Sequence, residues 1–257
     1  MTVLDGIIAG VREDLAERRV PLRQIREMVE QANPVRSALV ALGEPGVSVI
    51  AEVKRSSPSK GALAEIRDPA GLARIYQDAG ASVVSVLTEK RRFAGSLEDL
   101  AAVRNAVTIP VLRKDFMVDE YQFYEARAYG ADMVLLIVAA LSQNQLRDFA
   151  ALASGLGMHS LVEVHTPDEL ERALEIAPEI VGVNARNLKT LDIDQRVFSS
   201  LIPQIPSHVV RVAESGIRVR SDVENAEKSG ADAILVGEAL VVGNDPTETM
   251  RILLGQG

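Results

Sequence analysis

The sequence contains no cysteine and no tryptophan, and aromatic residues make up only 4% of its 257 positions. Without cysteine, neither disulfides nor thiolate-ligated metal sites can form. The three histidines, His159, His165 and His208, are scattered along the chain, which argues against a histidine metal cluster. The hydrophobic residues, 47% of the chain, must therefore build a core mainly from valine, isoleucine, leucine and alanine.

The chain also lacks an excess of positive charge and any long apolar run. The net charge of −8 argues against a general nucleic-acid surface, although a small phosphorylated ligand needs only local donors. No apolar run approaches the roughly 18 residues of a membrane span. Asp5, Arg12 and Glu13 interrupt the N-terminal segment, which is therefore unlike a signal peptide. We expect a cytoplasmic protein without nucleic-acid or membrane partners.

What the sequence does contain is a regular alternation of apolar strand candidates and amphipathic helical segments. The strand candidates span residues 47–53, 82–87, 109–113, 133–138, 160–164, 180–183, 209–213 and 233–236. The helical segments between them include residues 69–79, 97–106, 120–129, 143–155, 167–176 and 219–229. Three helices run into the related tetrapeptides AGAS, YGAD and SGAD, where Gly80, Gly130 and Gly230 are expected in the left-handed conformation.

Strands and helices in this order predict a parallel sheet with right-handed crossovers. Eight strands are also the number that closes such a sheet into a (β/α)8 TIM barrel. The alternative is a doubly wound open sheet, which usually carries a glycine-rich loop after its first strand, and no G-x-G-x-x-G motif occurs here. We therefore predict an α/β protein whose residues 47–257 form one barrel domain.

Residues 1–46 precede the barrel and are predicted to form a helical extension packed on it. Leu4 and Ile7 belong to the apolar stripe of a first helix, and a second helix follows Pro21. A third, short helix is predicted over residues 35–42.

Polar residues follow the strand candidates at their C-terminal ends, where barrel enzymes place their active sites. Glu52 and Lys54 share one face at the end of the first strand, and burying either charge alone would be costly. A structural ion pair there is as plausible as a functional one. Every other strand except the fourth is followed by similar groups, among them Glu89, Lys114, Glu163, Asn184, Glu214 and Glu238. This recurrence favours an active site at the C-terminal ends of the strands over a purely structural role for these residues.

The last two strands indicate a phosphate site. The segments AESGI (residues 213–217) and LVGEAL (residues 235–240) place small residues where backbone N–H groups can approach an anion. Barrel enzymes often bind phosphate between these two loops, although a glycine turn without a ligand is the alternative. Phosphate, two lysines and several carboxylates together describe proton transfer on a sugar phosphate.

A set of motifs gives the sequence a more specific resemblance. IAEVKRSSPSKG, SVLTE with RRFAGS, PVLRKDF, LVEVH, GVNARNL, VAESGI and LVGEAL occur in that order and resemble the indole-3-glycerol phosphate synthases of tryptophan biosynthesis. The resemblance covers nearly the whole chain. It implies a carbon–carbon lyase that converts 1-(2-carboxyphenylamino)-1-deoxyribulose 5-phosphate into indole-3-glycerol phosphate, with loss of carbon dioxide and water. No cofactor or metal is implied, and we expect a monomer acting on this small phosphorylated substrate.

The same resemblance implies roles for the charged residues of the first and third strands. Lys114 would be the general acid that polarises the ketone during ring closure. Lys54 and Glu52 would serve substrate binding and the later dehydration.

The remaining roles fall on the other strand ends. Glu163 would handle a proton, and Asn184 and Glu214 would hold hydroxyls and orient the lysines. The substrate carboxylate would meet Arg186, and the aromatic ring would lie in an apolar slot of Phe93, Leu135 and Leu188. The phosphate site would consist of Ser57, Ser215, Gly216, Gly237 and the backbone N–H of Glu238.

The resemblance also places the N-terminal extension across the catalytic mouth, where it would cover the slot and exclude water. A helix pair that closes the bottom of the barrel, or a dimer contact, is the alternative. Two other functions compete with the synthase. Phosphoribosylanthranilate isomerase shares the fold and the phosphate site but is expected to lack both the extension and the lysine pair. A non-catalytic barrel would not be expected to keep costly buried ions.

Overall fold

The computed structural model of the chain describes residues 2–188, 190–243 and 245–256. Within these ranges eight parallel strands form a closed barrel, in which each strand pairs with the next along the chain and the last pairs with the first. The strands are β1 (Ser48–Val53), β2 (Val83–Leu87), β3 (Val111–Lys114), β4 (Met133–Ile137), β5 (His159–Val164), β6 (Ile180–Asn184), β7 (Val210–Glu214) and β8 (Ala233–Val236). The predicted TIM barrel is confirmed.

Helices cover the outer face of the barrel and also lie at its two ends. They are α1 (Val3–Arg18), α2 (Leu22–Gln31), α3 (Ala38–Leu42), α4 (Pro69–Asp78), α5 (Lys90–Phe93), α6 (Leu97–Ala106), α7 (Tyr121–Ala128), α8 (Gln143–Gly155), α9 (Pro167–Leu174), α10 (Arg196–Leu201), α11 (Arg220–Lys228), α12 (Glu238–Val242) and α13 (Pro246–Leu253). Because helices cover the outside and side chains fill the inside, strands such as β1 and β4 are buried on both faces. This is why the strands read as continuous apolar runs.

Local sequence signals set the helix ends. Ser96 and Thr166 accept a hydrogen bond from the first turn of α6 and α9, as N-cap residues do. Gly80, Gly130 and Gly230 have φ values of +96°, +91° and +94°, so the three repeated tetrapeptides end their helices in the predicted left-handed conformation.

The N-terminal extension runs from one end of the barrel to the other. Its first helix, α1, places Leu4 and Ile7 at the mouth formed by the C-terminal ends of the strands. The second, α2, packs along α7 on the side of the barrel. The third, α3, lies at the base, the end formed by the N-terminal ends of the strands, and buries Ala38 and Leu42 in the core. The extension therefore combines the covering position and the base position that the sequence offered as alternatives.

The predicted start of the third helix was wrong, because α3 begins at Ala38 rather than at residue 35. Ser37 caps α3 by accepting a hydrogen bond from the N–H of Val40. The preceding Arg36 donates its own N–H to Oδ1 of Asp132 at 2.8 Å, so its backbone is bound to the barrel base rather than to a helical turn.

Some short elements were not predicted. Residues Ser56–Ser57 and Gly61–Ala62 form a small antiparallel hairpin beyond β1. Helices α5 and α10 were also missed, because each is too short for its apolar spacing to stand out. In the parts of the chain that the structure covers, no helix is both long and apolar enough to cross a membrane. The division at residue 46 stays a prediction.

Candidate active site

Lys114, at the end of β3, lies at the centre of a cluster of carboxylates in the barrel mouth. Its Nζ is 3.4 Å from Oε2 of Glu214, 3.5 Å from Oε2 of Glu163 and 4.0 Å from Oε2 of Glu52. Lys54 lies beside the cluster, with its Nζ 3.4 Å from Oε1 of Glu52. Groups from β1, β3, β5 and β7 are thus brought together at one end of the barrel, as the sequence predicted.

Neighbouring strands support the carboxylates. Ser85, which is paired with Glu52 in the register of β1 and β2, donates a hydrogen bond from Oγ to Oε2 of Glu52 at 3.3 Å. The sequence analysis missed Ser85. A serine inside the apolar run VVSVL was the available signal, because a polar residue at an inward position of a strand needs a partner.

Two glycines leave room for the carboxylates. A Cβ atom on Gly182 of β6 would lie 1.9 Å from Oε1 of Glu214, and one on Gly237 would lie 2.8 Å from Oε1 of Glu52. Both distances are too short for real atoms, so the space of the absent side chains holds the carboxylates instead.

The electrostatics of the cluster follow from its composition, since three carboxylates face two ammonium groups. Burial alone would lower the pKa of Lys114, but the charges of Glu214, Glu163 and Glu52 outweigh burial and raise that pKa. Burial raises the pKa of Glu214 to about 8, because the nearby charges of Glu163 and Glu52 add to burial and Lys114 only partly opposes them. Lys114 therefore stays protonated at neutral pH, and Glu214 takes up a proton at a higher pH than an ordinary carboxylate.

An apolar slot adjoins the charged cluster. Phe93 and Phe116 form one wall, with their ring centroids 6.2 Å apart, and Nζ of Lys54 lies 5.8 Å from the centroid of the Phe93 ring. Other apolar residues of the slot are Leu4, Ile7, Leu87, Leu135, Ile137, Leu188 and Leu191. The predicted slot residues thus lie together. Leu4 and Ile7 were assigned to the extension but not to the site, because amphipathic spacing shows that a stripe is buried without showing against what.

Asn184 and Arg186 line the same cavity at the end of β6. Oδ1 of Asn184 accepts a hydrogen bond from the backbone N–H of Arg186 at 2.9 Å. The Arg186 guanidinium donates from Nη1 to the carbonyl oxygen of Leu191 at 2.9 Å, which holds its side chain beside the cavity.

A second cavity opens beside the first, between the loops that follow β7 and β8. Ser215 and Gly216 have φ values of +69° and +80°, a conformation that is uncommon for a serine. At the entrance, Oε1 of Glu238 lies 2.6 Å from Nζ of Lys60 and 3.4 Å from Nη2 of Arg218.

The predicted phosphate residues divide between the two cavities. Gly216, Gly237 and Glu238 line the second cavity, Ser57 lines the first, and Ser215 lines both. Within the described ranges no group of histidine, aspartate and glutamate side chains has the arrangement of a metal site.

Comparison with known proteins identifies the family. The model of the family described as indole-3-glycerol phosphate synthase matches residues 4–253. The chain belongs to the indole-3-glycerol phosphate synthase family. The enzyme of that name from Mycobacterium sp. (strain KMS) is 57% identical over 258 residues, which cover 100% of this chain and 95% of that protein. Indole-3-glycerol phosphate synthase 1 of Streptomyces coelicolor is 56% identical over 259 residues, covering 100% of this chain and 96% of that protein.

These matches confirm the predicted activity of an indole-3-glycerol phosphate synthase, a decarboxylating lyase of tryptophan biosynthesis. The isomerase and the non-catalytic barrel are set aside accordingly.

Two solved structures with a similar barrel are far more distant in sequence. The 3-hexulose-6-phosphate synthase of Salmonella typhimurium has a TM-score of 0.66 at 13% identity, covering 81% of this chain and 97% of that one. The thiamine phosphate pyrophosphorylase of Pyrococcus furiosus has a TM-score of 0.60 at 15% identity, covering 80% and 93%. At these identities the likeness concerns the fold alone.

Proposed function

We propose that the charged cluster of the barrel mouth carries out the synthase reaction, with Lys114 as the general acid of ring closure. The observation that supports this most is the position of Lys114, whose ammonium lies 3.4–4.0 Å from three carboxylates and beside the apolar slot. In ring closure, the aromatic carbon that bears the carboxylate attacks the ketone, and the ketone oxygen becomes negative. The Lys114 ammonium would stabilise this oxygen and give it a proton.

Loss of carbon dioxide and then of water completes the reaction. Lys54 and Glu52 form an ion pair at the end of β1, where Lys54 would protonate the leaving hydroxyl. Glu163 contacts the same Lys114 ammonium and would accept or return a proton there. Glu214 and Asn184 would hold hydroxyls of the sugar chain and orient the lysines.

The remaining groups would bind the substrate at its two ends. The aromatic ring would enter the slot of Phe93, Leu135 and Leu188, and the Arg186 guanidinium at its edge would bind the ring carboxylate. The phosphate would lie at the second cavity, against Ser215, Gly216, Gly237, the N–H of Glu238 and Ser57 of the hairpin. Lys54 lines both cavities and would lie between the two ends of the substrate.

The direct test supplies 1-(2-carboxyphenylamino)-1-deoxyribulose 5-phosphate to the purified protein and follows indole fluorescence. We expect product formation that depends on Lys114. Turnover that is unchanged in Lys114→Ala would contradict the assignment of the general acid.

We also propose that the enzyme works as a monomer, because Glu52, Lys54, Lys114, Glu163 and Glu214 all come from strands of one barrel. Light scattering at the concentration of the assay tests this. The cytoplasmic location stays a prediction, which cell fractionation would test.

A further inference from the structure

A second group of charges, buried except for the partly exposed Arg18, lies outside the mouth and links the N-terminal extension to β3. Arg18, in the last turn of α1, donates from Nε and Nη2 to the two oxygens of Glu125 at 2.8 and 2.9 Å. Oε2 of Glu125 lies 2.9 Å from Nη2 of Arg113, and the same nitrogen donates to Oδ2 of Asp115 at 3.0 Å. We call Arg18, Glu125, Arg113 and Asp115 the ion chain.

Charge balance in the ion chain depends on the extension. Arg113 is 0% exposed and Glu125 and Asp115 are 3% and 4% exposed, so none of these charges is well solvated by water. With Arg18 the chain has two positive and two negative groups. Without Arg18, two buried carboxylates would share one guanidinium, which is an expensive arrangement. The positive and negative charges of the ion chain are therefore balanced only when α1 places Arg18 beside Glu125.

The ion chain also fixes the backbone on both sides of Lys114. Arg113 donates from Nη1 to the carbonyl oxygen of Gln122 at 2.9 Å and from Nε to Oγ1 of Thr88 at 3.1 Å. Asp115 accepts hydrogen bonds from Oγ1 of Thr88 at 2.6 Å and from the backbone N–H of Phe116 at 2.8 Å. Since side chains alternate along a strand, Arg113 and Asp115 face the helices while Lys114 between them faces the mouth.

The two ends of α1 therefore have different partners. Its first turns place Leu4 and Ile7 in the wall of the apolar slot, and its last turn joins the ion chain through Arg18. A helix of this length is a stiff element, so displacement at Arg18 changes the position of the slot wall.

Resting on the proposed function, we propose that the ion chain is a positioning device that sets α1 over the slot and holds Lys114 in its catalytic position. Arg18 and Glu125 act on the slot through α1, and Asp115 acts on Lys114 through the backbone of β3. None of these residues needs to touch the reacting atoms.

The test compares Arg18→Gln with Arg23→Gln, a matched control on α2 whose side chain is 92% exposed. We expect Arg18→Gln to raise KM about tenfold, the scale of one charge-assisted hydrogen bond, with a smaller change in kcat. Arg18→Lys keeps the charge without the paired donation, so it should fold well and give an intermediate KM. Asp115→Asn should instead lower kcat about tenfold with little change in KM.

A double variant separates positioning from stability. In Arg18→Gln/Glu125→Gln the charges balance again, so the melting temperature should return toward that of the wild type while KM stays raised. A KM that recovers together with the melting temperature would show that Arg18 acts only through stability. A wild-type KM in Arg18→Gln, or a wild-type kcat in Asp115→Asn, would overturn the corresponding half of the proposal.

Hydrogen exchange measured without substrate tests the anchoring of α1 independently of the proposed reaction. The amide protons of α1 should exchange faster in Arg18→Gln than in Arg23→Gln, and equal protection would refute the anchoring of α1. If the wild-type protein formed no indole product, the proposed function would fail, but the exchange result would still decide whether Arg18 anchors the helix.

Discussion

At the base of the barrel, Asp132 accepts hydrogen bonds from the backbone N–H groups of Arg36 and Val111, both at 2.8 Å, and pairs with Arg104 at 3.2 Å. At the mouth, neither carboxylate oxygen of Glu214 has a hydrogen-bond partner within the described residues, and its ion contact with Lys114 is 3.4 Å long. Both carboxylates are buried. At the base the bonding capacity is used within the protein, whereas at the mouth it remains for a substrate.

This difference predicts that charge changes at the two ends have different consequences. A change at the base should reduce the stability of the fold and leave the reaction intact. A change at the mouth should reduce catalysis and leave the fold intact, because a group that bonds poorly within the protein contributes little to folding.

The largest effect is expected at the base. Asp132→Asn leaves the buried Arg104 without its carboxylate partner and should lower the free energy of unfolding by about 3 kcal/mol. Denaturant unfolding measures this loss, and the exposed Asp168→Asn on α9 is the control. Both variants should keep kcat and KM within about twofold of the wild type. An Asp132→Asn variant that is inactive but as stable as the wild type would contradict the assignment of a stabilising role to the base.

The complementary change at the mouth is Lys114→Ala. It should lower kcat by about 100-fold or more, the usual scale for a general acid, while the circular dichroism of the barrel is retained. Lys228→Ala, which removes an exposed ammonium from α11, should have no effect on turnover. Near-normal turnover would remove Lys114 from the mechanism.

The extension allows the same comparison within one segment, because it reaches both ends of the barrel. Ile7→Ala at the mouth should raise KM by about three- to tenfold, since a slot that loses apolar surface binds the aromatic ring less well. Leu42→Ala at the base should leave KM unchanged and lower the free energy of unfolding by about 2 kcal/mol. Steady-state kinetics on both variants measure the change in KM, and denaturant unfolding measures the change in the free energy of unfolding. Equal changes in KM would show that α1 does not contribute to the slot.

A further effect concerns pH. The pKa of Glu214 is raised from an ordinary value of 4.5 to about 8, so the folded protein holds a proton that the unfolded chain releases. The resulting stability is fully present below about pH 4.5 and is lost as the pH rises through about 8. Glu214→Gln lacks this proton, so its free energy of unfolding should fall less between pH 5 and pH 9 than that of the wild type. Parallel curves would show that Glu214 titrates normally.

The barrel could be predicted from the sequence because its strands are apolar on both faces and its helices end in recognisable glycine turns. The positions of Glu52, Lys114 and Glu163 could be predicted for a related reason, since parallel strands direct their C-terminal ends to one mouth. Arg113 could not be assigned, because its four partners, Thr88, Asp115, Gln122 and Glu125, lie after β2, after β3 and on α7, and no local pattern records such contacts. The predicted start of α3 was wrong for the same reason, since the hydrogen bond from the N–H of Arg36 to Asp132 joins residues 96 positions apart.

Gly182 bears no functional group, yet it ties the choice of residue on β6 to the choice on β7. With Glu214 in place, even the methyl group of an alanine at position 182 would overlap a carboxylate oxygen. With a short residue at position 214, the same methyl group would fill an empty space in the barrel interior. The effect of a substitution at position 182 therefore depends on whether the side chain at position 214 is short or can move aside, so a change of chemistry in this barrel must consider the two positions together.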